Sequence, residues 1–406
     1  MGGRKVTTAL KPKLWNRDFV AVCFSSFFLF MTFYILAVTL PVYVTDQLHG
    51  SQQQVGLMMT AFIVTTVILR PLTGKWLDER SPKRILLLAL ILFTVCAAAY
   101  MVVHSYSALL LLRLIHGISF GMAATATGAI AVGLIPEQRS GEGVGYFSLF
   151  MSLAMVVGPF LGLTIIEHQS HTVLFSVCIC LGLLSLISGS FVRIPVKAAK
   201  AKTAQSAEAG WKKLIEPKAL PISIAACFLS FSYGAITTFL SVYANSIGLG
   251  SYSSYFFMVF AAMIVLSRPF TGSWFDRYGP NLLVYPGVLL FTLGMLTLSL
   301  AGSPVVFLLS GAVLGLGFGA LLPSFQTIAI QASPAHRRGL ATGTYFLLFD
   351  SGYGIGSYVL GVVAAHSNYH RMYFVAGLVV ACSAVLYYGL HHRKQQANKR
   401  GAELAA

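Results

Sequence analysis

Charge is what this chain lacks. Only 12 of its 406 residues are Asp or Glu, and 10% are charged at all, where a soluble domain carries roughly 25%. With 56% hydrophobic residues and a mean hydropathy of +0.77, it has more apolar surface than a water-soluble core can hide. Other absences remove further classes. The six cysteines, Cys23, Cys96, Cys178, Cys180, Cys227 and Cys382, all lie within apolar runs, so no disulfide framework is implied. Cys178 and Cys180 point to different faces of a helix and do not make a metal pair. No nucleophile–base pair, metal-ligand cluster or phosphate-binding glycine loop appears, so neither enzyme chemistry nor a cofactor or metal is expected. Gly315-x-Gly317-x-Gly319 superficially suggests a nucleotide loop, but it sits in an apolar run with no strand before it and reads as packing. No ATP-binding motif is present either. The short alternating segments of a membrane barrel are also missing.

What is there is a series of apolar runs, each long enough for the roughly 20 residues that cross a bilayer core as a helix. The runs predict helices over about 18–44, 55–76, 84–103, 105–132, 140–167 and 172–192, then 219–244, 252–274, 281–301, 304–331, 339–365 and 370–390. The first run is too long for a cleavable leader, and none is expected. The two sets of six are copies of one unit. Arg70-Pro-Leu-Thr-Gly-Lys-Trp-Leu-Asp returns as Arg268-Pro-Phe-Thr-Gly-Ser-Trp-Phe-Asp, 198 residues on. The same offset links Phe120-Gly121 with Phe318-Gly319, Arg139 with Arg337, and Gly145 with Gly343. The expected fold is therefore all-α, with 12 transmembrane helices in two pseudo-symmetric bundles. The expected divisions are an N-terminal bundle (1–192), a cytoplasmic linker (193–218), a C-terminal bundle (219–392) and a cytoplasmic tail (393–406). The linker is polar and Ala/Lys-rich, a flexible tether with a short amphipathic segment near Trp211.

The net charge of +16 does not mark a nucleic-acid binder. Of the 28 Lys and Arg, 24 fall in alternate loops and termini, and only Arg371 falls in the other set of loops. By the positive-inside rule both termini and the linker are cytoplasmic, in a multi-pass protein of the cell (inner or plasma) membrane.

These residues resemble the major facilitator superfamily of secondary transporters, over the whole chain. Its signature between helices 2 and 3 is similar to Gly74, Asp78 and Lys83, with Trp76, Glu79 and Ser81 departing from it. The second copy keeps Asp276-Arg277-Tyr278-Gly279. Arg113-x-x-His116-Gly117 resembles the helix-4 signature of proton-coupled members, with His116 where Gln is usual. Gly145, Ala154, Gly158-Pro159, Gly162 and Leu163 resemble the helix-5 signature of the 12-helix drug:proton antiporters, with Ala154 and Leu163 replacing glycines. The resemblance implies a cytoplasmic latch between the halves, here Gly74, Asp78, Arg80, Lys83, Arg84, Asp276 and Arg277. Gly145, Gly158 and Gly162 permit close helix contact and Pro159 a kink, which would suit a bent seam between rocking halves.

Asp350 is the acidic residue that lies deep in a helix, about 18 Å from its start at 1.5 Å per residue. A charge at that depth costs about 2.5–3.5 kcal/mol on the lenient insertion scale, so such a residue is a functional candidate. Its surroundings, Asp350-Ser-Gly-Tyr-Gly-Ile-Gly, read as a cavity wall. Arg113, with His116 a turn deeper, is a candidate partner for Asp350 or for an anionic substrate group. Tyr34, Ser152, Tyr233, Gln326, Tyr345 and Tyr353 are candidates for a substrate cavity. The reading is a monomeric, proton-driven exporter of a small amphiphilic or zwitterionic molecule, a drug or a metabolite such as a metallophore. Its alternatives are a proton-coupled nutrient importer and a lipid flippase.

Overall fold

A computed structural model describes residues 13–136, 139–193, 215–334 and 337–393. Most of the linker and of the C-terminal tail lies outside them, as does the segment near Trp211. Among the described residues the chain is helical throughout. Twelve helices are long and apolar enough to cross a membrane. They are α1 (Arg17–Asp46), α2 (Gln52–Glu79), α3 (Pro82–Ala99), α4 (Tyr106–Leu134), α5 (Ser140–His168), α6 (His171–Phe191), α7 (Leu220–Ser246), α8 (Ser253–Tyr278), α9 (Asn281–Ser299), α10 (Pro304–Gln331), α11 (Arg338–His366) and α12 (Tyr369–Tyr387). One face of the molecule carries the turns at 80–81 and 279–280 and the start of α7. It is called the basic face below. The turns at 47–51, 169–170 and 300–303 lie on the opposite face.

Local chemistry sets the ends. On the opposite face Ser51, Ser105, Ser170, Ser303 and Asn368 each accept a backbone N–H from the first turn of the helix they precede, and Ser51 with Gln54 completes a capping box. On the basic face α2 runs on to Glu79, so Gly74–Glu79 is helix and only Arg80 and Ser81 make the turn into Pro82. This corrects the expectation of a longer turn. The charged run Lys75–Glu79 is thus the last turn and more of the helix itself. The second copy stops differently: Gly279 takes φ 82° and ends α8. Ser81 stands at the matching place in the first copy, where a side chain disfavours that conformation, and the chain stays extended.

Glycines hold the helices together where lipid gives no hydrophobic gain. Gly117 and Gly121 of α4 lie against the backbone of Phe62 and Thr66 in α2, leaving no room for a Cβ. Gly315 and Gly319 of α10 meet Phe260 and Ile264 of α8 in the same way. Each contact repeats at the 198-residue offset, and Gly317 packs on Phe291 of α9. Large apolar side chains such as Leu88, Val95, Leu289, Val305 and Val385 are exposed around the outside. In water such a surface would aggregate; in a bilayer it is solvated.

The two sets of six helices meet along α2–α11, α5–α8 and α1–α7. Close contacts across the meeting lie toward the opposite face. Gly56 abuts Ser357, Gly361 abuts Gln52, and Thr60 donates to the Gly354 carbonyl at 2.7 Å. Ser254 of α8 donates to Glu167 of α5 at 3.2 Å. Toward the basic face, Gly74, Gly145, Gly339 and Gly343 have nothing within 4 Å of where a Cβ would stand. The halves touch near one face and part toward the other.

Candidate functional site

Where the halves begin to part, Asp350 of α11 meets Arg70 of α2, carboxylate to guanidinium at 2.6 Å. Their side chains are 18% and 21% exposed. The pair crosses between the halves and sits at the middle of α11. The position follows from the glycines beyond it. Gly352 and Gly356, one turn apart, abut Cys227 and Phe231 of α7, while Gly354 between them abuts Ile63 of α2. Small residues on two faces wedge α11 between its own bundle and the other one. The Gly-rich run after Asp350 is therefore a packing surface rather than the expected cavity wall.

Arg113 is not the partner of Asp350. It is fully buried within the N-terminal bundle, its guanidinium 4.2 Å from the Phe62 ring centroid and Nη2 3.4 Å from the Met59 sulfur. Nε and Nη1 have no hydrogen-bond partner among the described residues. Depth in the membrane suggested the pairing, but depth does not fix the direction in which a helix turns a side chain. The face of α4 that carries Arg113 looks into the α2–α4 contact. His116, also fully buried, shares a hydrogen bond with the Tyr100 hydroxyl through Nδ1 at 3.0 Å, and its ring lies 4.5 Å from Phe93.

Next to the ion pair, toward the opposite face, is an aromatic cluster drawn from both halves. Tyr353 of α11 lies 6.1 Å from Tyr233 of α7 and 6.4 Å from Phe33 of α1, centroid to centroid. Tyr34 adjoins Phe33 at 5.0 Å, and Tyr233 stacks on Phe318 at 4.5 Å. The Tyr353 hydroxyl accepts from Thr237 at 2.8 Å. Of the cavity candidates, then, Tyr34, Tyr233 and Tyr353 come together. Tyr345 donates to the Leu322 carbonyl of α10 at 3.1 Å, and Ser152 and Gln326 are half-buried.

The helix-5 glycines also do different work from that expected. Gly158 and Gly162 pack against Tyr34, Ile35 and Thr39 of α1, inside one bundle, while Gly145 faces open space. Across the seam between bundles α5 meets α8, where Ser254 donates to Glu167. Of the expected gate, the Lys83 ammonium donates to the Ser190 and Val192 carbonyls at 2.6 and 2.7 Å, which ties α3 to the end of α6. Arg80 and Arg84 are exposed, and Arg277 lies over Tyr278 at 5.3 Å. The side chains of Asp78 and Asp276 lie outside the described residues.

Arg70 is the partner of Asp350 that the sequence reading did not single out, although it opens the repeated segment. A cation nine residues inside the end of α2, in an otherwise apolar stretch, was the available signal. Among the described residues no group of His, Cys, Asp and Glu is placed to hold a metal.

A sequence profile described as the Major Facilitator Superfamily matches residues 22–352 and 257–405. The quinolone resistance protein NorA of Staphylococcus aureus is 29% identical over 235 residues, 56% of this chain and 58% of that protein. The chain thus spans little more than half the length of that relative. An uncharacterized MFS-type transporter, YhhS of Escherichia coli strain K12, is 23% identical over 393 residues, 95% of each chain. The crystal structure of the nucleoside transporter NupG superposes with a TM-score of 0.71 at 16% identity, covering 92% of this chain and 98% of the other. That likeness speaks to the fold alone.

Proposed function

The chain belongs to the major facilitator superfamily, and we propose that this multi-pass membrane transporter exports a small amphiphilic or zwitterionic molecule in exchange for protons. The observation that carries the reading is the Arg70–Asp350 pair, an ion pair that bridges the two halves where they part. The name of the relative NorA supports drug-like compounds such as quinolones as cargo. The basic face is cytoplasmic on this reading, because the Lys and Arg residues collect there. The described conformation is then open to the cytoplasm and closed outside.

Asp350 has three competing partners: the Arg70 guanidinium, a proton, and a cationic group on the substrate. Only one is held at a time. Substrate entering from the cytoplasm displaces a proton or Arg70 and neutralises the carboxylate. The contacts of α2 with α11 then release from the outside inward, and the cleft opens to the other side. There a proton takes the carboxylate, the substrate leaves, and the halves close again. Tyr34, Tyr233 and Tyr353 supply aromatic surface for the apolar part of the cargo. Asp78 and Asp276 remain proposed as the latch that closes the cytoplasmic side. Linker, tail and the two bundles keep the boundaries expected above, and the transporter works as a monomer.

The test is accumulation of a quinolone in everted membrane vesicles with an acid interior. Accumulation that collapses with a protonophore is the expected result. Accumulation only with the gradient reversed would make the protein an importer, and none across a panel of amphiphilic cations would overturn the reading.

A further inference from the structure

On the outer wall of the N-terminal bundle, at the basic face, α1 and α6 part to leave an open groove of about 380 Å³. Trp15, Val20, Phe24, Ser188 and Phe191 line it, with Arg17 at its rim. Three of the large side chains are left open: Trp15, Phe24 and Phe191 are 47%, 41% and 51% exposed. The walls are nonetheless fixed. Trp15 is held at 4.7 Å from Tyr146 and 5.9 Å from Phe19, and Phe24 at 5.3 Å from Phe150. The two helix ends are tied below the groove, where the Arg193 backbone N–H donates to Asp18 at 2.8 Å. Asp18 itself does not line the groove.

Arg17 stands at the first position of α1, two residues after Trp15, and tryptophan is a residue type enriched at membrane interfaces. Its guanidinium rests 5.4 Å from the centroid of Phe191. Among the described residues it has no carboxylate partner. Stacking of this kind orients the group and leaves its edge N–H groups for an anion in bidentate geometry. A groove that is aromatic along its length and cationic at its interfacial end matches one kind of molecule, with a hydrocarbon tail and a negative head. We propose that this groove binds a single anionic phospholipid, its phosphate on Arg17 and an acyl chain between α1 and α6 against Phe24 and Phe191. The lipid braces the first and last helices of the bundle from the bilayer side, separately from the transport path. On the orientation proposed above it comes from the cytoplasmic leaflet, but binding to the purified protein does not depend on that orientation.

The test is native mass spectrometry of the full-length protein in detergent, with phosphatidylglycerol or phosphatidylcholine added. Wild type retains phosphatidylglycerol several-fold better. Arg17→Gln lowers that preference by roughly fivefold, the worth of one basic group at an anionic surface. Arg17→Lys keeps most of it, and Arg371→Gln, on the opposite face, changes nothing. Ser188→Trp fills the groove and lowers retention of both lipids. Equal retention of the two lipids by wild type, or an unchanged preference in Arg17→Gln, overturns the proposal.

Discussion

At the scale of single residues, two arginines in apolar helices look alike in the sequence and are placed differently in the fold. Arg70 faces Asp350 across the halves at 2.6 Å, whereas Arg113 is buried over Phe62 of its own bundle. If the first is the partner that competes with protons, Arg70→Gln removes pH-driven accumulation. A coupling of 1–3 kcal/mol is the usual range, so the gradient dependence falls by about 5–150-fold. Arg113→Gln leaves proton release on substrate addition in place. Transport in vesicles at several pH gradients, with the two variants side by side, separates them; equal loss in both would make Arg113 part of the coupling group. The depth of Asp350 and its isolation among the 12 acidic residues could be read from the chain. Its partner could not. Arg70 is 280 residues away in sequence and comes near because Gly354 and Gly361 let α11 lie close against α2, while Gly352 and Gly356 seat its other face on α7.

At the scale of elements, helix number, order and repeat were legible because each span is an apolar run closed by polar turns. Which face each helix shows its neighbours was not. Gly158 and Gly162 looked like a seam between halves and instead join α5 to α1. One clasp went unread altogether. Glu216, 3% exposed at its side chain, pairs with Arg337 at 2.6 Å, and its backbone N–H donates to Thr344 at 2.8 Å. It pins the start of α7 to the start of α11, and Asp18 and Arg139 hold the same two places 198 residues earlier. Glu216→Gln removes this ion pair and lowers the thermal midpoint of the purified protein. The loss falls short of the roughly 3–5 kcal/mol for a fully buried pair, since Arg337 is 24% exposed. No change in the midpoint would reduce the clasp to a surface contact. The seam between halves gives a sharper prediction. A side chain at Gly56 runs into the Ser357 carbonyl, so Gly56→Leu keeps α2 from closing on α11 while leaving each bundle intact. A cysteine at position 60 then reacts several-fold faster with an impermeant reagent added from the opposite face. An unchanged rate would mean the halves meet elsewhere.

At the scale of the whole molecule, two similar bundles touch near one face and diverge toward the other, with the Arg70–Asp350 ion pair where the contact ends. Such a molecule moves cargo if what binds at that point decides which face is open. The orientation is tested by single cysteines at Gly50 and Lys218, which label from opposite sides of the membrane; labelling from the same side would end the twelve-span topology. The coupling itself is tested most directly by a proton count. A quinolone that the vesicle assay shows to be transported is added to purified protein in weakly buffered detergent solution, and the pH change is read. Wild type is predicted to release up to about one proton per ligand bound, because substrate and proton exclude each other at one carboxylate. Asp350→Asn is predicted to bind the compound and release none. Full proton release from Asp350→Asn would contradict the account and place the coupling group elsewhere in the chain.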